Sequence, residues 1–481
     1  MKVATIIRYV GVVLLLNAAF MLISAIVAVI YGFDTSLYPL LLSFIITAII
    51  GTFPLIFVPK EKNILAKEGY TIVIASWVLS CIVGTLPYIM WGGEFSAINA
   101  LFESTSGYTT TGVSILSDVE ALPHGLLFWR ASTHWIGGVG VVLFALVVLP
   151  SVGKAKMTLS NMEISNLAKD NFRYNSKKLI KVMVYTYVLL TLAETIMLYF
   201  AGMTVFDAIT QSFSTIATGG FSTKNMSIGY WDSPLIEVII IIFMVLSGTH
   251  LGMIYSTFTK RKNNMFRSEV WRYYVGGMLI ASILVAWNLY SNHFYPTILE
   301  CFRYASFQVV SYSTTTGFAS VDAAWWPGFS VLIMVFLSAQ CAMAGSTSGG
   351  IKVDRIMLLF KAIRAQILQI QHPNAVIRLK LNNIPQENST VNAAVLLVTF
   401  YVLTLFASTL LLSIYNIDLL SAFTASVACL GNVGPGFGEV GNLANLGFLP
   451  SGAKFTLAVV MLFGRLELFG LIHIFLMQSW K

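Results

Sequence analysis

The sequence predicts an all-α polytopic membrane protein: an N-terminal helical pair, then four parallel helix–pore loop–helix repeats around a pseudo-fourfold pore. Three observations predict it. Hydrophobic residues make up 57% of the 481-residue chain and Asp, Glu, Lys and Arg only 10%, with a mean hydropathy of +0.79. A soluble chain of this length needs far more charge to cover its surface. Apolar stretches of about 20 residues, the length that crosses a hydrocarbon core, recur from end to end. Finally, a thirteen-residue segment that opens on alanine and closes on glycine occurs four times.

The first span, 6–31, is too long and apolar for a cleaved leader, and no clear cleavage site follows it. Further spans fall at 38–59, 70–91, 125–150, 179–202, 234–258, 270–290, 325–344, 392–415 and 453–479. The stretch 351–370 prolongs the eighth span but carries Lys352, Asp354, Arg355, Lys361 and Arg364, which makes it a cytoplasmic extension. The repeated segments are Ala100–Gly112, Ala208–Gly220, Ala305–Gly317 and Ala422–Gly434, each between two spans. Their closing glycines lie 108, 97 and 117 residues apart, the mark of a repeated structural unit. The expected units are 1–66 for the helical pair, then 67–160, 161–262, 263–380 and 381–481 for the four repeats.

Charge gives the orientation. From Lys2 and Arg8 to Lys481, 24 of the 29 basic residues fall on one side, which places both termini in the cytoplasm. The pore loops then open outward. On that side lie Asp34, Glu94, Glu103, Asp118, Glu120, Asp207, Asp232, Glu300, Asp322, Asp418 and Glu439, opposed by Arg130, Lys224, Arg303 and Lys454. This distribution predicts an acidic vestibule that concentrates cations.

Non-helical backbone at membrane depth is tolerated only where protein buries it or where it lines a water-filled path. Four such loops converging on one axis supply the carbonyl oxygens that replace an ion's hydration shell. The candidate ligands are Thr110, Thr111 and Gly112; Thr218, Gly219 and Gly220; Thr315, Thr316 and Gly317; and Asn432, Val433 and Gly434. Glycine admits the left-handed dihedrals that turn carbonyls inward, and the threonines offer hydroxyls as well. Each preceding pore helix aims its partially negative C-terminal end at the ion. A single glycine in a membrane helix means ordinary packing; four at matched positions do not. No ring of charged residues accompanies them, which argues against a divalent-type filter.

Enzyme chemistry has no foothold. Cys81, Cys301, Cys341 and Cys429 lack CxxC spacing and nearby His partners, and no HExxH, Walker or GxSxG pattern occurs. A sodium-coupled secondary carrier is the alternative within transport. Such carriers use inverted repeats, whereas each loop here follows an outward-going helix.

The pore loops TTTGVS, ATGGFS, TTTGFA and GNVGPG resemble those of the Trk/Ktr/HKT potassium-transporter superfamily. So do HWIGGVGVVLFALVVLP, AGSTSGGIKVDR and FGRLE, and the N-terminal pair is similar to the TrkH branch. The resemblance implies a potassium-translocating subunit of a bacterial cytoplasmic membrane, surrounded by membrane lipid and assembled as a homodimer. It also implies gating by a TrkA-like cytoplasmic regulatory subunit that binds nucleotide. Potassium is then cargo, and neither an organic cofactor nor a nucleic-acid partner is expected.

Within AGSTSGG, residues Gly345, Ser346, Thr347, Ser348, Gly349 and Gly350 interrupt a helix otherwise expected over 325–370. The resemblance makes this loop the gate; a static kink is the plainer reading. Arg465 lies deep in the last span, where an arginine usually faces protein interior or water. The resemblance points it into the path, and a pair with Glu194 or Glu467 is the alternative. Arg130 and His134, one turn apart, are expected to bond between helices. The basic stretches 154–181 and 352–380 suit anionic lipid or an acidic partner.

Overall fold

The computed structural model describes residues 3–59, 66–148, 176–259, 264–374, 377–382 and 384–466. Lys154, Lys156, Lys169 and Arg173 of the first basic stretch, and Glu467, lie outside the described residues. The regular structure of the described residues is helical, apart from a two-residue antiparallel pairing of Lys380–Leu381 with Ile384–Pro385.

The N-terminal pair is α1 (Val3–Ile30) and α2 (Leu37–Phe57). Repeat 1 comprises α3 (Ala66–Val83), α4 (Leu86–Trp91), pore helix α5 (Ala97–Tyr108) and α6 (His124–Val148). Repeat 2 comprises α7 (Ser176–Phe200), pore helix α8 (Val205–Ile216), α9 (Pro234–Ser247) and α10 (Leu251–Thr259). Repeat 3 has α11 (Glu269–Ser291), pore helix α12 (Ile298–Ser313), α13 (Gly328–Gln340) and α14 (Val353–Gln371). Repeat 4 has α15 (Asn388–Ser413), pore helix α16 (Leu419–Gly431) and α17 (Ser451–Arg465). Six spans among the described residues are long and apolar enough to cross a membrane, and the bent pair α9 and α10 makes a seventh.

Each pore helix starts at a side-chain cap. Ser96 accepts from the Asn99 amide, Thr204 from Asp207, Thr297 from Glu300, and Asp418 from Leu420 and Ser421. Such caps satisfy amides that no helical carbonyl can reach. In repeats 1, 2 and 4 the cap stands 16 residues before the closing glycine; in repeat 3 it stands 20 before, one extra turn.

Two expected spans are broken differently from the sequence reading. The sixth, 234–258, was expected to be continuous, but α9 and α10 meet at 99°. The eighth was expected to break over Ala344–Gly350, whereas the non-helical stretch runs from Cys341 to Lys352. The two breaks satisfy each other. The Met343 amide donates to the Gly248 carbonyl (3.1 Å) and the Leu251 amide to that of Gly345 (3.2 Å). Backbone freed from one helix thus finds its partners in the other, as the membrane interior demands.

Candidate functional site: a ring of four pore loops

The four loops have one backbone conformation. Thr110, Thr218, Thr315 and Asn432 are left-handed, with φ of 53°, 55°, 63° and 53°, although none is glycine. Two residues on, Gly112, Gly220, Gly317 and Gly434 have φ of 81°, 84°, 75° and 97°. Alternation of handedness turns successive carbonyls the same way. The amides, meanwhile, fold back onto the pore helices. Thr111 donates to Ser106, Gly219 to Ser214, Thr316 to Ser311 and Val433 to Ala428, all at 2.8–2.9 Å. Among the described residues, no donor reaches the carbonyls of 110–112, 218–220, 315–317 or 432–434.

Contacts between loops close a cycle. A Cβ placed on Gly112 would lie 1.8 Å from the Gly219 carbonyl oxygen, and one on Gly220 would lie 2.2 Å from that of Thr316. On Gly317 it would lie 2.1 Å from the Val433 oxygen, and on Gly434 2.3 Å from the Thr111 oxygen. Repeat 1 therefore abuts 2, 2 abuts 3, 3 abuts 4 and 4 returns to 1. All twelve candidate ligands lie in this ring. The hydroxyls are corrected, however. Those of Thr111 and Thr316 pair with Thr109 and Thr314 at 2.8 Å, and Asn432 Nδ2 also donates to Thr111. Among the candidate ligands, only Thr110 and Thr315 keep buried hydroxyls without a partner, available to an ion or water.

Above the ring is a cavity of about 120 Å³ bordered by Gly112, Gly220, Gly317 and Pro435, with Arg130, Lys224 and several asparagines around it. No carboxylate lines this cavity itself. The carboxylates are spent elsewhere. Asp418 caps a pore helix, Asp207 accepts from the Thr204 and Thr223 hydroxyls (2.8 and 2.6 Å), and Glu120 faces Lys224 at 3.5 Å. The Asn225 amide, 2.7 Å from Asp118, holds that loop carboxyl below the usual range.

Glu103 is wholly buried and belongs to a brace behind the ring of loops. Its oxygens accept from Ser114 Oγ (2.9 Å), the Ile115 amide (3.0 Å) and Arg130 Nε (2.6 Å). Arg130 also donates to the Ser222 carbonyl and stacks on Phe221, 3.6 Å from the ring centre. One ion pair thereby staples loop 1 to loop 2. His134 reaches Ser214 at 3.3 Å and stacks on Phe221, so both residues bond between helices as expected. Gln211 and Gln308, each like Glu103 nine residues before a closing glycine, brace their own loops through Ser222 and the Val321 carbonyl. Sequence reading missed this position. The shared spacing is the signal that could have found it.

The interrupted segment sits at the other end of the ring. Thr347 Oγ1 donates to the Ile216 carbonyl at the end of α8 (3.0 Å), and Gly349 packs on Gly431 and Asn432 beneath loop 4. Gly345 and Gly350 have φ of 79° and 68°. Ser346 and Ser348 hydroxyls pair at 2.8 Å, and the Ala344 amide donates to Asp354 at 2.7 Å. Arg465, 5% exposed, donates to the Thr347 carbonyl (2.7 Å) and the Gly137 carbonyl (3.1 Å). Among the described residues it makes no ion pair with Glu194, whose carboxyl is itself buried. In the second basic stretch Lys352 is buried and Lys361 is held by Glu269 at 2.6 Å; Arg364, Arg378 and Lys380 remain exposed. All four cysteines are buried and free.

Vestibule, carbonyl ring and interrupted helix stand in series, and together they define a multi-pass membrane protein built around one pore-loop ring. The TrkH cation transport protein family model matches residues 39–275 and 278–480, and the chain belongs to that family. The Trk system potassium uptake protein TrkH of Salmonella typhimurium is 37% identical over 480 residues, covering 98% of each chain. Its counterpart in Vibrio parahaemolyticus is 34% identical over 489 residues and covers all of both. A crystal structure of the potassium transporter TrkH from Vibrio parahaemolyticus matches with a TM-score of 0.91 at 32% identity, covering 100% of each chain. These relatives are named as transporters, not enzymes.

Proposed function

We propose that this chain is the ion-translocating subunit of a Trk-type potassium-uptake system of the cytoplasmic membrane. The twelve filter carbonyls are the ion's ligands, and Gly345–Gly350 with Arg465 form the gate. One observation carries this reading: a closed ring of carbonyls that no donor reaches among the described residues, while ten of the twelve matching amides are tied back. Buried backbone oxygens normally find hydrogen-bond partners. A dehydrated cation supplies the partner here, and the carbonyls return the hydration energy it loses. The names of the relatives support potassium as cargo.

A cation enters through the small polar cavity, sheds water at the glycine mouth and sits where four helix C-terminal ends converge. The interrupted segment then bars its way, held by Arg465 through Thr347. A buried guanidinium beneath the ring also repels a cation. Pulling on α14, which continues the segment, moves the bar. A nucleotide-binding cytoplasmic subunit would do the pulling, and the system naming of the relatives supports a multi-component assembly. The chain works as a homodimer with both termini in the cytoplasm.

Flux of potassium, rubidium, sodium and lithium into liposomes holding the purified chain tests the proposal. Potassium and rubidium well above sodium support it. Absence of flux both alone and with the regulatory partner and nucleotide overturns it.

A further inference from the structure

Between α1, α3, pore helix α5 and α6 runs a crevice of about 280 Å³, apart from the ion path. Its walls are almost wholly apolar. Val13, Ile72, Trp77 and Trp135 form the inside, and its rim is Val12 and Leu16 of α1, which are 51% and 40% exposed. Helix α1 is an uninterrupted apolar span of 28 residues, so exposed leucine and valine on its flank face lipid. The crevice therefore opens sideways into the bilayer.

Its inner end is set against the transport machinery. Tyr108, the last residue of pore helix α5, and Gly137 of α6 both line it. These two touch: a Cβ on Gly137 would lie 2.1 Å from the Tyr108 carbonyl oxygen. Gly137 also offers the carbonyl that Arg465 holds, and the Trp77 ring lies 5.8 Å from the Arg465 guanidinium carbon. One layer of side chains thus separates the crevice from filter loop 1 and from Arg465.

We propose that this crevice is a binding site for a phospholipid acyl chain, which enters past Val12 and Leu16 and bears on the Gly137 and Trp77 walls around Arg465. An apolar groove open to hydrocarbon gains by filling, because an empty one forfeits dispersion contacts along its lining. The effect on transport rests on the function proposed above; occupancy of the crevice does not.

The test uses the full chain in vesicles containing a phospholipid with a diazirine midway along one chain. After irradiation, adducts are expected on Val13, Ile72 and Tyr108, besides the outward-facing Ile49 and Ile280. Ser76 also lines the crevice, and its hydroxyl has no partner, so Ser76→Leu fills the space without removing a hydrogen bond. It should abolish the inner adducts and leave the outer ones; Val13→Phe does the same from α1. Rubidium flux should change about fivefold, the low end of coupling between two sites, when straight chains are replaced by methyl-branched ones, and Ser76→Leu should not respond. Adducts confined to outward-facing residues overturn the site, as they would if a second copy of the chain covered this flank. Flux in the unaltered chain that ignores branching overturns the coupling. Vesicles that pass no cation, both alone and with the regulatory partner and nucleotide, yet show the inner adducts refute the transport reading while upholding the site.

Discussion

Replacing Gly317 with serine should collapse selectivity among monovalent cations while leaving the chain folded. The backbone there has φ of +75°, where an L-residue costs roughly 1–2 kcal/mol. The larger effect is steric. The new Cβ would stand 2.1 Å from the Val433 oxygen and 2.9 Å from Pro435 Cδ, whereas ordinary contact begins at 3.4 Å. The Val433 carbonyl must then retreat by about 1.3 Å, and it belongs to the neighbouring loop of the ring. Val433 has no slack, because its amide is tied to Ala428 at 2.8 Å. A displaced carbonyl no longer distinguishes ions of different size, and every tenfold loss in preference corresponds to about 1.4 kcal/mol. We expect at least that loss in the rubidium-to-sodium flux ratio in liposomes. Gly276→Ala is the control, since a Cβ there meets nothing within 4 Å. An unchanged ratio for a folded Gly317→Ser protein would refute the four-loop filter.

Arg465→Ala removes two charge-assisted hydrogen bonds, to Thr347 and Gly137. With each worth about 1.5–3 kcal/mol, flux without the regulatory partner should rise by about tenfold or more, and an unaltered rate would separate Arg465 from the gate. Glu103→Gln leaves the Arg130 guanidinium buried without its counter-charge, a loss of about 3–5 kcal/mol. A lowered Tm in detergent, partly restored by Glu103→Leu with Arg130→Met, would show the brace. The tie between Asp118 and Asn225 depends on pH. Because the folded-state carboxyl is held below its usual range, the tie is at full strength above the unfolded pKa and is lost as pH falls through the folded one. Asp118→Asn at neutral pH should loosen the 117–121 loop in hydrogen exchange as acid does in the unaltered chain; equal protection would count against the tie.

Much of the molecule was legible from one dimension. Membrane spans declare themselves because hydrocarbon enforces apolar length. Ser96, Thr204 and Asp418, each 16 residues before a closing glycine, fix where three pore helices start. The closing glycines marked the ring of loops because positive φ and close backbone approach exclude other residues there. Even Asn432, which departs from the threonines at its position, keeps the left-handed turn that asparagine tolerates.

What the sequence could not determine is whatever depends on a partner distant along the chain. Position Glu103 reads as an outward-facing carboxylate until Arg130 and the Ser114–Ile115 backbone surround it. Residues 234–258 read as one helix, since Ser247–Gly248–Thr249–His250 alone is a weak breaker. The 99° bend becomes affordable only because the broken end of repeat 3 supplies the missing hydrogen bonds, from Met343 to Gly248 and from Leu251 to Gly345. Arg465 could be recognised as an interior charge, but not as the residue that holds Thr347. Local sequence thus determined the spans, the caps and the left-handed glycines, because each is enforced by its own backbone or by the bilayer. Only the tertiary structure decided how buried polar groups were satisfied, because in a medium without water each must find its partner wherever the fold brings one.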